Sequence, residues 1–440
     1  MSNKIYGIDL GTTNSLIGYS DEFLSSMIPS IVNLETRETG ESQRNNPKAI
    51  RSFKVNMSMA VEGQRSITGS RYVLEELKRQ VKEEVKDVVI SVPAYFKDNQ
   101  RQATIKAAEL AGLNVVALIN EPTAAAMYVS KRLSQLTVVF DLGGGTFDVS
   151  VIDSRFGNYD VQASDGLIVG GDNFDNAIFK HICKSADIKV HHLAMEQLQA
   201  LRNLSTKIKI RMQKERKDLT VDLKDFGGTE FVFKEFAYKS LMKMVFAETI
   251  QKAKDVIAEA IPTEDSFDIV LVGGSTRCPY LREWIEEELG QKTVELFYDP
   301  DRVVAQGAAM YAHLIETGEA DILVSDVTTA LSIGLSDGTV RVVIPKNSKL
   351  PISNSTMVYN NVDSDILRVS IYQGDSMLAA NNECIGTVEY DYGEVKAAME
   401  GNVFIDMSVD KSGVITFSCK ELLKEPKIVT LTRDALLRKE

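Results

Sequence analysis

Gly7-Ile8-Asp9-Leu10-Gly11-Thr12-Thr13-Asn14 and Val139-Phe140-Asp141-Leu142-Gly143-Gly144-Gly145-Thr146-Phe147-Asp148 are distant in the chain and read almost alike. Each is an apolar run ending in Asp-Leu-Gly, followed by a Gly/Thr turn and a second apolar run, Ser15 to Tyr19 or Val149 to Ile152. That pattern predicts a β-hairpin. The turns lack bulky side chains, so their backbone N–H groups can close on an anion. The aspartate ending each first strand sits where a phosphate-bound Mg²⁺ needs a charged anchor. One such hairpin says little, because Gly/Thr turns are common structural features. Two facing copies are how a duplicated fold clamps a nucleoside triphosphate, and they point to ATP.

The chain has 440 residues, enough for two or three domains with ample cores. A 44% apolar and 25% charged composition is that of an ordinary globular protein. A net charge of −12 argues against a nucleic-acid partner. Apolar runs fall short of a membrane span, and the first residues lead into a strand rather than a signal peptide, so a cytoplasmic, membrane-free monomer is expected. Cys183, Cys278, Cys384 and Cys419 lack metal or redox spacing, and four histidines make metal or triad chemistry on histidine improbable.

From Lys4 to about Thr317 strands and helices alternate, as in a layered α/β domain. Expected elements include strands at 87–92, 115–119 and 267–272, and helices after Asp98, within 120–126 with Pro122 in the first turn, and at 193–216, 233–260 and 301–315. Gly307-Ala308-Ala309 predicts close backbone packing. Beyond Gly318 short β-like runs appear at 340–344, 367–372, 403–409, 414–419 and 427–431, so the second domain is all-β. Residues 1–318, 319–328 and 329–440 are expected to form the ATPase domain, an apolar linker and a β-sandwich without a helical lid.

The motifs together resemble the DnaK-type 70-kDa heat-shock chaperone family, built on the duplicated actin/hexokinase-like (ribonuclease H-like) ATPase fold. In family order come residues 7–15, Val-Pro-Ala-Tyr-Phe (92–96), Asn-Glu-Pro-Thr-Ala-Ala-Ala (120–126), 141–148 and Val-Gly-Gly-Ser-Thr-Arg (272–277). The β-region adds Ile-Pro-Lys-Asn (344–347) and Tyr-Gln-Gly-Asp (372–375). Ser52-Phe53-Lys54 and the shortened segments look most like the HscC-type bacterial branch. The resemblance implies an ATP-dependent chaperone that hydrolyses ATP to gate binding of unfolded apolar peptides.

It also implies roles. Lys54, Glu121, Asp141 and Thr146 become catalytic. Gly11, Thr12, Thr13, Asn14, Gly143, Gly144, Gly145, Thr146, Gly170, Gly171, Lys209, Gly273, Gly274, Ser275 and Arg277 bind ATP or ADP, with Arg277 stacking on adenine. Asp9 and Asp141 hold Mg²⁺, with K⁺ nearby. Pro93, Arg101 and Asp326 couple the domains, and Met357, Leu367 and Val369 meet the peptide. A J-domain co-chaperone and a nucleotide-exchange factor are the implied partners. Thr206 and Gln213 stand where the family presents a glutamate and a serine, which predicts weakened nucleotide contacts. The alternatives are a degenerate nucleotide-binding regulatory module, an actin-fold metabolite kinase and a filament protein. ATP turnover with and without peptide separates them.

Overall fold

The protein is described from a computed structural model covering residues 4–20, 22–23, 25–57, 63–129, 136–154, 159–261, 266–294, 299–319, 329–346, 348–410, 414–421 and 427–429. The chain divides into two compact units, residues 1–95 with 103–322, and residues 96–102 with 323–440.

The first half of the first unit has strands β1 (Ile5–Leu10), β2 (Asn14–Tyr19), β3 (Glu22–Phe23) and β4 (Ile28–Pro29), helix α1 (Gln64–Gln80) and strand β5 (Asp87–Val92). Then come α2 (Asp98–Leu110), β6 (Asn114–Asn120) and α3 (Glu121–Val129). Its sheet runs β3-β2-β1-β5-β6, with β4 also on β2. β1 and β2 are an antiparallel hairpin in which Asp9 faces Leu16, while β1, β5 and β6 are parallel.

The second half repeats this plan. Its strands are β7 (Leu136–Leu142), β8 (Phe147–Asp153) and β9 (Asp160–Leu167), followed by helices α4 (Gly171–Ser185) and α5 (Met195–Glu215). A small hairpin, β10 (Leu219–Asp222) and β11 (Glu230–Phe233), precedes α6 (Glu235–Ala260), β12 (Asp268–Val272), α7 (Pro279–Leu289) and α8 (Val303–Thr317). The sheet order is β12-β7-β8-β9, with β7 and β12 parallel and β7 and β8 a hairpin in which Asp141 faces Asp148. In both halves the parallel strand beside the hairpin feeds a turn that carries site residues. The β7–β8 strands are buried along their whole length, as apolar strands covered on both faces must be.

Helices α3 and α8 pack backbone to backbone. A Cβ on Gly307 would lie 1.8 Å from the carbonyl oxygen of Ala124, so only glycine fits that crossing. The second unit holds two four-stranded antiparallel sheets. β13 (Leu331–Gly334), β14 (Val340–Ile344), β15 (Ile352–Val358), β16 (Ser364–Gln373), β17 (Glu383–Lys396), β18 (Val403–Val409), β19 (Ile415–Glu421) and β20 (Lys427–Val429) order as β14-β13-β16-β17 and β15-β18-β19-β20. Along β18 buried and half-buried residues alternate, the period-two signature of one face on a core.

Candidate active site

The two turns predicted from the repeats meet. A Cβ on Gly144 would stand 1.6 Å from the Thr13 hydroxyl oxygen, so the second turn must be bare for the first to approach. Each turn is strapped through its carbonyls. Ser30 donates from Oγ to the Gly11 carbonyl (2.8 Å) and from its N–H to the Thr13 carbonyl (2.7 Å). The N–H groups of Gly171 and Asp172, opening α4, donate to the carbonyls of Gly143 (3.0 Å) and Gly144 (2.7 Å). Among the described residues no hydrogen bond occupies the N–H groups of Thr12, Thr13, Gly144 and Gly145, which leaves a nest of donors for an anion.

A cleft of about 1200 Å³ opens on these turns. Asp9, Gly11 to Asn14, Glu121, Asp141, Gly143, Gly144, Thr146, Gly171, Lys209 and Gly273 to Arg277 are all on its wall. Residues predicted from four separate motifs, together with Gly171 and Lys209, thus converge. Lys54 is 2% exposed and its Nζ donates to Glu121 Oε1 at 2.5 Å. Gly170 lies against Gly144, behind the wall.

Carboxylates crowd the floor. Burial raises the Asp9 carboxyl from an ordinary 3.8 to about 7; Glu121 adds to the rise, while Lys54 and the Ser91 hydroxyl, which donates to Oδ1 at 2.7 Å, oppose it. Asp141 is raised well above the usual range by burial first, then by Glu121, Asp148 and Asp9. Asp148 is raised likewise by burial and Glu121, although it accepts the N–H groups of Ala94 (3.0 Å) and Tyr95. One buried lysine faces four acids there, so the floor is short of positive charge. Among the described residues no three acids, histidines or cysteines stand close enough to ligate one ion directly. A Mg²⁺ that keeps its waters and takes phosphate oxygens fits that arrangement.

The sequence reading gave no role to Asp148, Asp172 or Asp175. Asp172 accepts from the Ser52 hydroxyl. Asp175 accepts from Thr206 Oγ1 (2.9 Å) and pairs with Lys209 (2.9 Å), so Thr206 is engaged with a neighbour. Lys209 also reaches the Gly171 carbonyl at 3.2 Å, and Ser275 Oγ donates to the Gly143 carbonyl at 2.8 Å. Arg277, expected to lie on adenine, is tied by Asp299 and Asp301, which fixes its plane at the cleft wall.

A family model described as Hsp70 protein matches residues 52–435. Chaperone protein DnaK of Mycoplasmoides gallisepticum is 31% identical over 508 aligned residues, covering 100% of this chain and 85% of that protein. The chain belongs to the Hsp70 family. As an Hsp70 it is an ATP-dependent molecular chaperone and an ATPase that binds nucleotide.

Residues expected to serve coupling and peptide binding lie elsewhere. Pro93 is buried just after β5. Arg101 is buried, donates from Nε to the Phe96 carbonyl at 3.1 Å, and has its pKa lowered by burial to about 10. Asp326 and the linker from 320 to 328 lie outside the described residues. Leu367 (2% exposed) and Val369 (6%) are core residues of the second unit, whereas Met357 on β15 is 44% exposed. Arg368 between them does face outward, paired with Glu389 at 2.7 Å. Among the described residues no helix is long and apolar enough to cross a membrane.

Proposed function

We propose that the cleft of the first unit binds ATP with its β- and γ-phosphates between the Thr12–Thr13 and Gly144–Gly145 turns. The observation that carries this is the contact of the two turns, with their free N–H groups beside Asp9 and Asp141. Asp9 and Asp141 hold Mg²⁺ through its waters, and K⁺ is assigned to the same acidic floor. The metal neutralises charge on the phosphate oxygens. Lys54 brings a cation to the γ-phosphate, and Glu121 and Thr146 orient the attacking water. Hydrolysis of this kind needs positioning and charge more than covalent chemistry, and this set supplies both. Lys209, Ser275 and Arg277 border the nucleoside.

The second unit takes extended apolar segments of unfolded proteins. β15 is the outer strand of its sheet and exposes Met357, which suits a peptide added by backbone pairing. Pro93, Arg101 and Asp326 transmit the nucleotide state, and a J-domain co-chaperone and an exchange factor set its cycle.

Turnover decides the matter. Mg²⁺-dependent ATP hydrolysis should be slow and should rise when an extended Leu-rich peptide is added. Lys54→Ala should lower it roughly 10²–10³-fold while ATP still binds. Hydrolysis at the parental rate in that variant would overturn the assignment. No turnover in the parent would leave the regulatory-module reading.

A further inference from the structure

Arg51 is a cation that no role above uses. It lines the ATP cleft with Ser52, Thr13 and Asp172, whereas Lys54, three residues on, is not on the wall. Ser52 explains the difference. Its backbone is left-handed (φ 49°), which turns the chain so that Lys54 goes inward to Glu121 and Arg51 stays at the wall. The Ser52 hydroxyl fixes that turn by donating to Asp172 at the start of α4.

Arg51 is half-buried, and among the described residues it forms no ion pair within 4 Å. Among the described residues its one hydrogen bond runs from Nη2 to the carbonyl oxygen of Arg44, with the rest of its N–H fork unengaged by them. The charged groups around it are Arg44, Asp172 and Glu41. Arg44 is already matched by Glu41, with both nitrogens of its fork on that carboxylate. A half-buried cation without a partner carries a desolvation penalty that a bound anion offsets. A planar fork grips a phosphate through two parallel hydrogen bonds, which a lysine cannot do.

We propose that Arg51 is a ligand of the terminal phosphate of ATP, reaching it from the cleft wall that carries the Lys54 segment. The proposal rests on the ATP reading of the cleft and adds to it a reason for telling ATP from ADP. ADP ends one phosphate short, so the guanidinium finds its anion only with the triphosphate. A further cation on the phosphoryl group being transferred also stabilises the charge spread over its oxygens.

The test is calorimetry with a non-hydrolysable ATP analogue and with ADP, on the full chain, for the parent, Arg51→Ala and Arg51→Lys. Turnover is measured in the same variants with and without guanidinium in the buffer. Arg51→Ala should bind the ATP analogue about tenfold to 100-fold more weakly, hold ADP within about twofold, and hydrolyse about 10²-fold more slowly. Guanidinium should restore part of that rate, and Arg51→Lys should fall between. Equal loss of ATP and ADP binding, with a lower melting temperature, would show that Arg51 merely tethers the Arg44 carbonyl and would overturn the proposal. Unchanged binding and turnover would overturn it too. A parent that binds neither nucleotide would instead remove the ATP reading, and the proposal with it.

Discussion

The hairpins that open the two halves of the first unit share a register and differ in what faces their aspartates. In the first, Asp9 faces Leu16; in the second, Asp141 faces Asp148. Their straps differ as well. Ser30, after a two-residue strand, holds the first turn, whereas the N–H groups that open a fifteen-residue helix hold the second. The first copy therefore offers one carboxylate opposite a leucine. The second offers two, and a helix N-terminus whose dipole favours anions nearby. The two copies share a plan, and two of the three hairpin aspartates lie on the second.

The largest expected effect concerns the lone acid of the first jaw. Between about pH 4 and 7 the folded, nucleotide-free protein keeps a proton on Asp9 that the unfolded chain has released, so stability falls as pH rises through that window. A rise from 3.8 to about 7 corresponds to at most about 4 kcal/mol. Asp9→Asn should raise the melting temperature of the nucleotide-free protein at pH 7.5 and flatten its pH profile, while abolishing Mg²⁺-dependent turnover. Thermal melts at pH 5.5 and 7.5 give the answer. A variant less stable than the parent at pH 7.5 would mean that Asp9 is a structural ion rather than a strained one.

The second jaw sharpens the contrast. Asp148 accepts the N–H groups of Ala94 and Tyr95, so it anchors backbone as well as adding charge. Asp148→Ala should cost about 1–3 kcal/mol by stranding buried donors, whereas Asp148→Asn keeps an acceptor and should cost less. Chemical denaturation of both variants measures this. Equal losses would remove the anchoring role.

Much of this arrangement is legible in the sequence because it rests on local pattern. Both hairpins, the strand Asp87–Val92 and the strand Val403–Val409 lie where alternation and Gly/Thr turns put them. The missed elements carry mixed signals. α1 contains Gly69, which reads as a breaker but leaves room for Ile50 and Phe53 within 3.4 Å of where its Cβ would stand. β17 carries Gly386, Gly393 and several acids and reads as turns, yet it pairs with β16 along most of its length. The β10–β11 hairpin was hidden because Phe233 continues the apolar periodicity of α6. In the site, Asp172 looks like an ordinary first-turn helix acid and Asp175 like a polar residue of the next turn. Only the fold shows Ser52, Thr206 and Lys209 reaching them. Leu367 and Val369 share a strand face as the alternation requires, but periodicity cannot say whether that face lines a pocket or fills a core.

The central claim is that the two turns act as one clamp on a single nucleotide. A double-mutant cycle on Thr13→Ala and Gly144→Ala tests it most directly, with ATP affinity read by calorimetry in the presence of Mg²⁺. The added methyl at 144 would press on the Thr13 hydroxyl, and removing that hydroxyl relieves the closest contact, leaving the Thr13 Cβ at 2.9 Å. Both single variants should bind ATP more weakly, and the double variant should lose less than their sum, with a coupling of about 0.5–3 kcal/mol. Strictly additive losses, or ATP binding untouched by either change, would contradict the clamp.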